Sequence, residues 1–484
     1  MKDIELKEVD QTKQLMTREN GCVKVTVPEN TAVKYTGLSK DELVKVAGTP
    51  GWIRIRWALL ALFFLGWVGM LAGAIVIIVQ APRCKPIPEM HWWNEGPLYQ
   101  ISDVNAFTES GLKGLEGKLD YLSQMNVAGV VLGPIHSLKI DQLDTLNLIS
   151  VQSEVGTENE LESLLGLAHK KGELKISLSS VLTLEQAFTN SLQIHHDMFN
   201  ILTRKDACTY WLDKGLDGIF LSDLNEIPTD AWPSIKEIFN RSDATKEVAL
   251  MGSVNSMSIN DISVLLNRSG VDLLLTGQPD LSDSGEKQAQ IIKEFNSSIQ
   301  QTSLGWRSRQ DPGTLAAEFP IRLYQILLFT LPGTPVFSAG EELGLKAEEQ
   351  LQALWDLENP VEEKNAKAKA LQEERLAVRN FFKTLSDLRG KERSLQHGEY
   401  VGLSNSKSSL AFLRVWDQSK RFITALNWGD KPVTMKLTYR DLPAEAQVLL
   451  STDTSSLALE SMVSVEKLQL DPKQAVLLTY SYAG

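Results

Sequence analysis

One segment of the chain, residues 57–79, is apolar without interruption. It reads WALLALFFLGWVGMLAGAIVIIV and contains no charged residue, Asn, Gln or Pro. A helix of these 23 residues rises about 34 Å, which exceeds the ~30 Å hydrocarbon core of a bilayer. Core helices of soluble proteins rarely stay apolar on every face over such a length. The segment is therefore predicted to be a transmembrane helix.

Basic residues flank this span unequally. Two follow it closely, Arg83 and Lys85. Four precede it: Lys40, Lys45, Arg54 and Arg56. Because positive charge is retained on the cytoplasmic side, the N-terminus is expected inside the cell. A mostly polar stretch of 56 residues comes first, which excludes a cleaved signal peptide and predicts a signal-anchor in a single-pass type II protein.

Beyond residue 92 short apolar runs alternate with segments that can hold helices. The eight runs are LYQIS, GVVLGPI, LKISLSSV, DGIFLSD, EVALMGSV, VDLLLTG, SLGWRS and GTPVFSAG. Nearly continuous apolar strands separated by helices indicate a parallel sheet that is covered on both faces. Eight such units predict an α/β fold, a (β/α)8 TIM barrel over residues 92–390.

After residue 391 the rhythm changes to strands joined by short turns. The strand candidates are SLAFLRVW, RFITALNW, PVTMKLTY, AQVLLST and AVLLTYSY. They predict an antiparallel β-sandwich over residues 391–484. The rest of the chain divides into a cytoplasmic tail (1–56), the transmembrane helix (57–79) and an extracellular stalk (80–91).

Charge and histidine spacing narrow the possible functions. The formal net charge of −12 argues against nucleic acid as a partner. The six histidines, including the pair His195–His196, show no metal-ligand spacing with Cys or carboxylates. The sequence therefore predicts no metal site and no cofactor.

The predicted topology separates the three cysteines. Cys22 lies on the reducing side, whereas Cys84 and Cys208 face an oxidising compartment. Cys84 belongs to the stalk APRCKPIP, whose prolines favour an extended and exposed chain. An exposed unpaired thiol there suggests a bridge to another chain, and a Cys84–Cys208 bridge is the alternative.

Three smaller patterns accompany this topology. Ser39 and Glu42 have the spacing of a capping box, which predicts a short helix before the membrane. Gly66, Gly69 and Gly73 give the span a face of small residues on which another helix could pack. The N-glycosylation acceptors predicted beyond the span are Asn240, Asn267 and Asn296.

The barrel resembles the α-amylase family of glycoside hydrolases. The resemblance rests on TLPGTPVFSAGEELGL (330–345), VVLGPI and DGIFLSD. It implies a nucleophilic Asp after strand four and an acid/base Glu after strand five, but these degenerate catalytic positions hold Ser222 and Ser253. Asp223 is one residue late, and neighbours on a strand point to opposite faces. We expect it to cap the next helix.

Other residues that the resemblance requires are also absent. The Asp and His expected after strand three are missing from LKISLSSVLT, and Gln310-Asp311-Pro312 stands where the family has Asn-His-Asp. A serine cannot replace the carboxylate nucleophile without an activating base. The chain is therefore predicted not to be an enzyme.

A closer resemblance covers nearly the whole chain after residue 34. The runs YTGLSKDELVKVAGTPGW, GMLAGA, VQAPRC, RLYQILLFTLPGTPVFS and KERSLQHGE resemble the 4F2-type heavy chains of heteromeric amino acid transporters. The resemblance implies an ancillary glycoprotein that pairs with a multi-span light chain, escorts it to the plasma membrane and is linked to it by a disulfide at Cys84.

The same resemblance implies a link to integrin signalling through residues 1–79, with integrin β subunits as further partners. Two other interpretations stay open at this stage. One is an adhesion or integrin-signalling receptor whose partner is not a transporter. The other is a membrane-anchored α-glucosidase with a rearranged site that uses Asp223.

Overall fold

The structure is a computed structural model that forms two compact units, residues Met1–Arg83 and Cys84–Gly484. The residues that it describes are 39–80, 84–137, 147–172, 174–180, 201–227, 229–241, 247–254, 259–277, 281, 283–307, 320–345, 349–357 and 366–482. The two units are treated separately below. The predicted boundaries at 56, 79, 91 and 390 stay predictions.

The N-terminal unit consists of two helices. The helix Lys40–Ala47 begins at Ser39, which forms with Glu42 the predicted capping box, and it ends at Gly48. The second helix, Pro50–Gln80, includes the predicted span 57–79. Proline is well suited to the first position of a helix, so the helix can begin at Pro50 ahead of the apolar run. Within the described residues this is the one helix long and apolar enough to cross a membrane.

The second unit opens with a closed barrel of eight parallel strands, as predicted. The strands are β1 (Leu98–Ile101), β2 (Gly129–Leu132), β5 (Lys175–Ser180), β6 (Gly218–Leu221), β7 (Ala249–Ser253), β8 (Leu273–Gly277), β9 (Leu304–Arg307) and β10 (Thr334–Ser338). Around the barrel their order is β1, β10, β9, β8, β7, β6, β5, β2. Each of the eight apolar runs of the sequence supplies one of them. A small antiparallel hairpin, β3 (His136–Ser137) and β4 (Asn147–Val151), follows β2 and was not predicted.

Helices and a filled interior make the barrel a solid core. The helices of this unit are Trp92–Glu95, Val104–Phe107, Gly111–Glu116, Leu119–Gln124, Glu158–Gly172, Ile201–Asp213, Trp232–Arg241, Ile259–Ser269, Gly285–Ser298, Ile321–Thr330, Ala353–Asp356, Ala366–Lys391 and Arg393–His397. Side chains that include Leu98, Phe220, Met251 and Val336 form one buried cluster with Trp92 and Trp93. Because helices and this interior bury both faces of the strands, most strands show no alternation of polar and apolar residues; β5, KISLSS, is the exception.

The chain ends in two antiparallel sheets. The strands are β11 (Glu399–Ser406), β12 (Ser409–Val415), β13 (Arg421–Asn427), β14 (Val433–Met435), β15 (Glu445–Ser451), β16 (Met462–Ser464), β17 (Leu468–Leu470) and β18 (Gln474–Tyr480). The larger sheet has the order β11, β12, β13, β18, β15, β16, and the smaller sheet pairs β14 with β17. The five predicted strands correspond to β12, β13, β14, β15 and β18.

The central strands of the larger sheet, β12, β13 and β18, are buried on both faces. On one face Leu413, Ile423 and Leu478 share a core with Leu470 of the smaller sheet. On the other face Phe412 and Phe422 belong to the same buried cluster as the barrel helices. The contact leaves no space at Gly285, where a Cβ atom would lie 2.1 Å from the Ser409 carbonyl oxygen. The barrel and the terminal sheets therefore pack as one body.

Candidate functional sites on the stalk, the apolar helix and the barrel rim

The thiol of Cys84 is exposed at the start of the second unit. Residues 84–91 adopt neither helix nor strand, as the prolines at positions 86 and 88 predict. Cys208 lies instead in the helix Ile201–Asp213, where 9% of its surface is exposed. The two cysteines are not joined by a disulfide, so the alternative intramolecular bridge is absent from these described residues. Cys22 lies outside the residues that the structure describes.

The glycines of the apolar helix form an open face. Gly66, Gly69 and Gly73 are three and four positions apart, so they lie on one side of the helix Pro50–Gln80. A Cβ atom built on any of the three would meet no other atom within 4 Å. Absence of side chains there lets the backbone of a second helix approach closely. The face can thus receive a helix, though it is not by itself specific for one.

The barrel rim brings Ser222 and Ser253 together, as their positions after neighbouring strands predict. Ser253 is the last residue of β7 and is 1% exposed, and half-buried Ser222 directly follows β6. The Ser253 Oγ accepts a hydrogen bond of 3.4 Å from the backbone N–H of Asp223. The structure thus places the two serines at the ends of neighbouring strands, and their assignment to the positions of the glycosidase carboxylates stays a prediction from the sequence.

Asp223 occupies a left-handed turn rather than the strand. Its φ and ψ are 50° and 60°, a conformation that Asp tolerates better than most residues. It precedes a short 3-10 helix, Leu224–Glu226, but its side chain makes no capping hydrogen bond, so the expected capping role is not observed. Arg307, at the end of β9, is a nearby positive charge: burial lowers the pKa of this guanidinium, and the charge of Asp223 acts in the opposite direction.

The two acids of the rim motif, Glu341 and Glu342, both accept hydrogen bonds within the fold. The Glu341 Oε2 accepts one of 3.0 Å from the Ser338 N–H. The Glu342 Oε1 accepts hydrogen bonds of 2.7 Å from the hydroxyls of Tyr99 and Tyr121. Its Oε2 accepts another, of 2.9 Å, from the Gly340 N–H. Burial raises the pKa of Glu342, and these hydrogen bonds oppose the rise. Sequence reasoning missed this network because Tyr99 and Tyr121 are far from Glu342 in the chain.

The three predicted glycosylation acceptors share one position on their helices. Asn240, Asn267 and Asn296 each lie within the last three residues of a barrel helix. Because barrel helices run antiparallel to the strands, these helix ends gather at the amino end of the barrel. Asn267 is exposed and Asn296 is half-buried, whereas the side chain of Asn240 lies outside the described set.

Some predicted residues cannot be placed. Gln310, Asp311 and Pro312, as well as His195 and His196, lie outside the described residues. Within the described ranges, no three His, Cys, Asp or Glu side chains gather in a way that could hold a metal ion.

Two comparisons with known proteins match different parts of the chain. Residues 23–99 match the family model described as "Solute carrier family 3 member 2 N-terminus". The second unit is similar in fold to an α-amylase from Geobacillus thermoleovorans, with a TM-score of 0.59 and 19% identity over 81% of this chain and 99% of that one. At this identity the likeness shows the fold alone.

Two relatives match over the full length. The chain is 39% identical to the amino acid transporter heavy chain SLC3A2 of Oryctolagus cuniculus, covering 100% of this chain and 98% of that protein. It is 37% identical to the SLC3A2 heavy chain of Rattus norvegicus with the same coverage. Identity at this level over both full lengths establishes common family membership. The chain therefore belongs to the SLC3A2 family of amino acid transporter heavy chains.

Proposed function

We propose that this chain is a non-catalytic heavy-chain subunit that pairs with a multi-span amino acid transporter light chain. It supports delivery of the light chain to the plasma membrane and its stability there. The observation that carries the proposal is the exposed thiol of Cys84, which follows the apolar helix Pro50–Gln80 by four residues. A thiol so close to the membrane can form a disulfide with an extracellular loop of a membrane partner.

The proposal includes a type II orientation with residues 1–56 in the cytoplasm. The excess of basic residues before the apolar helix supports it. This orientation would also place the exposed acceptor Asn267 outside the cytoplasm, where it can be glycosylated. We include glycans at Asn240, Asn267 and Asn296 in the proposal.

A hydrolytic function is not part of the proposal. Retaining glycosidases need two carboxyl groups about 5–5.5 Å apart. The sequence resemblance assigns Ser222 and Ser253 to these two positions. Asp223 adopts a left-handed conformation near the charge of Arg307, which supports the proposal. Ser253 is a hydroxyl at the end of β7, so on our assignment no acid/base carboxylate stands at that position.

Most of the affinity for the light chain should come from non-covalent contacts. The small-residue face of Gly66, Gly69 and Gly73 lets two membrane helices pack at close range. Binding that covers exposed membrane surfaces stabilises the bound partner by mass action. The bridge at Cys84 then acts as a clasp on a complex that is already assembled.

A surface-delivery assay tests this proposal. A light chain is expressed in cells that lack their own heavy chain, together with this chain, its Cys84→Ser variant or an empty vector. Surface biotinylation should show the light chain at the plasma membrane with the wild-type chain, largely so with the variant, and at background with the vector. Equal surface light chain in all three would refute the escort function. Complete loss of surface light chain with the variant would refute the proposal that non-covalent contacts supply most of the affinity.

We also include integrin β subunits as further partners of residues 1–79. The support is the resemblance to 4F2-type heavy chains alone. Purification of the full chain in a mild detergent should recover an integrin β subunit beside the light chain. If the subunit is absent while the light chain is recovered, the integrin part of the proposal fails and the transporter part stands.

A further inference from the structure

Residues 84–91 of the predicted stalk belong to the second unit and contact the rest of that unit at several points. Lys85 contacts the end of the β11–β12 hairpin. Pro88 and Met90 line a cavity of about 60 Å³ together with His397. At the far end His91 pairs with Glu247, and its ring stacks on Trp93 at 4.6 Å between centroids. These contacts hold residues 84–91 against the rest of the second unit.

Lys85 makes the contacts nearest to Cys84. Its Nζ donates a hydrogen bond of 2.8 Å to Glu399 Oε1, and its backbone N–H donates one of 3.3 Å to Asp417 Oδ2. The same Nζ lies 5.9 Å from the centre of the Trp416 ring. The hydrogen bond with Glu399 raises the pKa of Lys85, so the side chain stays charged. We call these contacts of Lys85 with Glu399, Trp416 and Asp417 the stalk clamp.

The three partners of the clamp come from one place in the fold. Glu399 is the first residue of β11 and pairs with Val415, near the end of β12. Trp416 and Asp417 follow directly in the turn between β12 and β13. Asp417 has a φ of 42°, a left-handed turn conformation that directs the chain back toward the sheet. The clamp therefore joins the stalk to a fixed edge of the terminal sheet.

The clamp also fixes the position of Cys84. The N–H that Asp417 binds belongs to the peptide bond between Cys84 and Lys85. This peptide unit is planar, so holding its nitrogen also holds the Cα atom of Cys84. The thiol then retains mainly the rotation of its own side chain. A released stalk would let it sample a much larger volume.

We propose that Lys85 is a positioning residue for the interchain disulfide. Its contacts with Glu399 and Asp417 hold Cys84 beside the β11–β12 hairpin, where a cysteine of the light chain meets it. This inference rests on the proposed function. Confining a thiol raises its effective concentration for a thiol on an assembled partner, and so the clamp speeds bridging rather than assembly.

The bridging step is an oxidation. The Sγ–H bonds of Cys84 and of the light-chain cysteine break, and one S–S bond forms. Two protons and two electrons leave, and they pass to a disulfide-carrying oxidoreductase of the secretory compartment, which becomes a dithiol. Lys85 takes no part in this transfer and acts through the position of the Cys84 backbone.

A pulse–chase experiment measures the rate of bridging. The full chain is expressed with a light chain, and the fraction in the reducible heavy band is followed on non-reducing gels. Lys85→Ala and Lys85→Glu should slow the appearance of that band about two- to fivefold, the range that an exposed ion pair supports. Combining Lys85→Glu with Glu399→Lys should restore the wild-type rate, as should Lys85→Arg alone.

A matched ion pair and a small probe provide the controls. Lys287 pairs with Asp283 at 2.8 Å on another part of the surface, so Lys287→Ala should leave bridging unchanged. The clamp variants, expressed without a light chain, should react with a small maleimide at Cys84 at the wild-type rate and should leave the buried Cys208 unreactive, as in wild type. A misfolded chain would expose Cys208 and react faster, so this result separates positioning from misfolding.

Each outcome decides the inference. Slower bridging, unchanged maleimide reactivity and rescue by the charge exchange would support it. Wild-type bridging rates in the clamp variants would overturn the inference, and so would slower bridging that the charge exchange does not rescue. Either result would leave the proposed disulfide at Cys84 intact. A wild-type chain with no reducible band, or a band that persists in Cys84→Ser, would overturn both the inference and the proposed disulfide.

Discussion

Arg389 and Arg414 cap the same helix end from two different elements. Arg389 lies in the helix Ala366–Lys391 and Arg414 in β12, and both side chains are buried. Arg389 donates to the carbonyl oxygens of Phe329, Leu331 and Gly333, and Arg414 to those of Thr330, at 2.6 Å, and Gly398. The carbonyls of Phe329 and Thr330 belong to the last turn of the helix Ile321–Thr330, which has no intrahelical donors, and those of Leu331 and Gly333 follow it. Gly398 directly precedes β11. Two cations at the negative end of the helix dipole thus tie the terminal sheet to the barrel.

Replacing Arg414 should destabilise the whole second unit. Arg414→Met would leave the carbonyls of Thr330 and Gly398 buried without their donors, at a cost of about 2–4 kcal/mol in the free energy of unfolding. Denaturant unfolding of the purified full chain measures this. Arg440, whose side chain is 80% exposed, offers a matched control in which the same substitution should change stability by less than about 0.5 kcal/mol. Equal effects at the two positions would refute the capping role of Arg414.

Gly285 tests the contact between the barrel and the terminal sheet. A Cβ there would lie 2.1 Å and 2.4 Å from the carbonyl oxygens of Ser409 and Ser406, which belong to backbone and cannot rotate away. Gly285→Ala should therefore lower the free energy of unfolding by about 1–3 kcal/mol or more, as measured by thermal unfolding. Gly402 lies in the same hairpin with nothing within 4 Å of its virtual Cβ, so Gly402→Ala serves as the control. Unchanged stability of Gly285→Ala would show that the helix and the hairpin are not in close contact.

The sequence predicts the barrel well because most of its eight strands are nearly continuous apolar runs that stand apart from the polar segments around them. The strands β11, β16 and β17 were missed: β11 and β16 carry exposed polar residues such as Asn405 and Ser464, and β17 has only three residues. Strand order brings Ser222 and Ser253 together, and this could be foreseen from the fold. The pair Lys85–Glu399 could not, because its members lie 314 positions apart and meet only through packing.

Glu342 should give stability a recognisable pH dependence. Its folded-state pKa is raised by burial above the ordinary value of 4.5. As pH rises above 4.5, the unfolded chain loses this proton before the folded chain does, and stability falls until the folded pKa is passed. Glu342→Gln removes the titration, so the stability of the variant relative to wild type should increase with pH across this window.

Thermal unfolding of both proteins between pH 4.5 and 8 measures the relative slope. Glu445, which is exposed at the start of β15, provides a control, and Glu445→Gln should show no such trend. A difference between Glu342→Gln and wild type that stays constant with pH would show that Glu342 does not keep its proton on folding.

The barrel rim should be catalytically silent toward α-glucosides. If Ser222 and Ser253 stand at the positions of the two carboxylates, as we propose, the purified full chain should release no product above a buffer blank in an assay with a chromogenic α-glucoside. Asp223→Asn provides the control for residual chemistry and should give the same blank value. Turnover by the wild-type chain that disappears in Asp223→Asn would contradict this account and restore the glycosidase interpretation.

The central claim concerns the partner at Cys84, and one gel tests it most directly. Full-length wild-type chain and the Cys84→Ser variant are solubilised in detergent and run with and without reductant. The account predicts a heavier band in the non-reduced wild-type lane that collapses on reduction and is absent in the variant. Mass spectrometry of this band should identify a multi-span amino acid transporter. A monomer band in every lane, or a heavier band with a different partner, would contradict the claim.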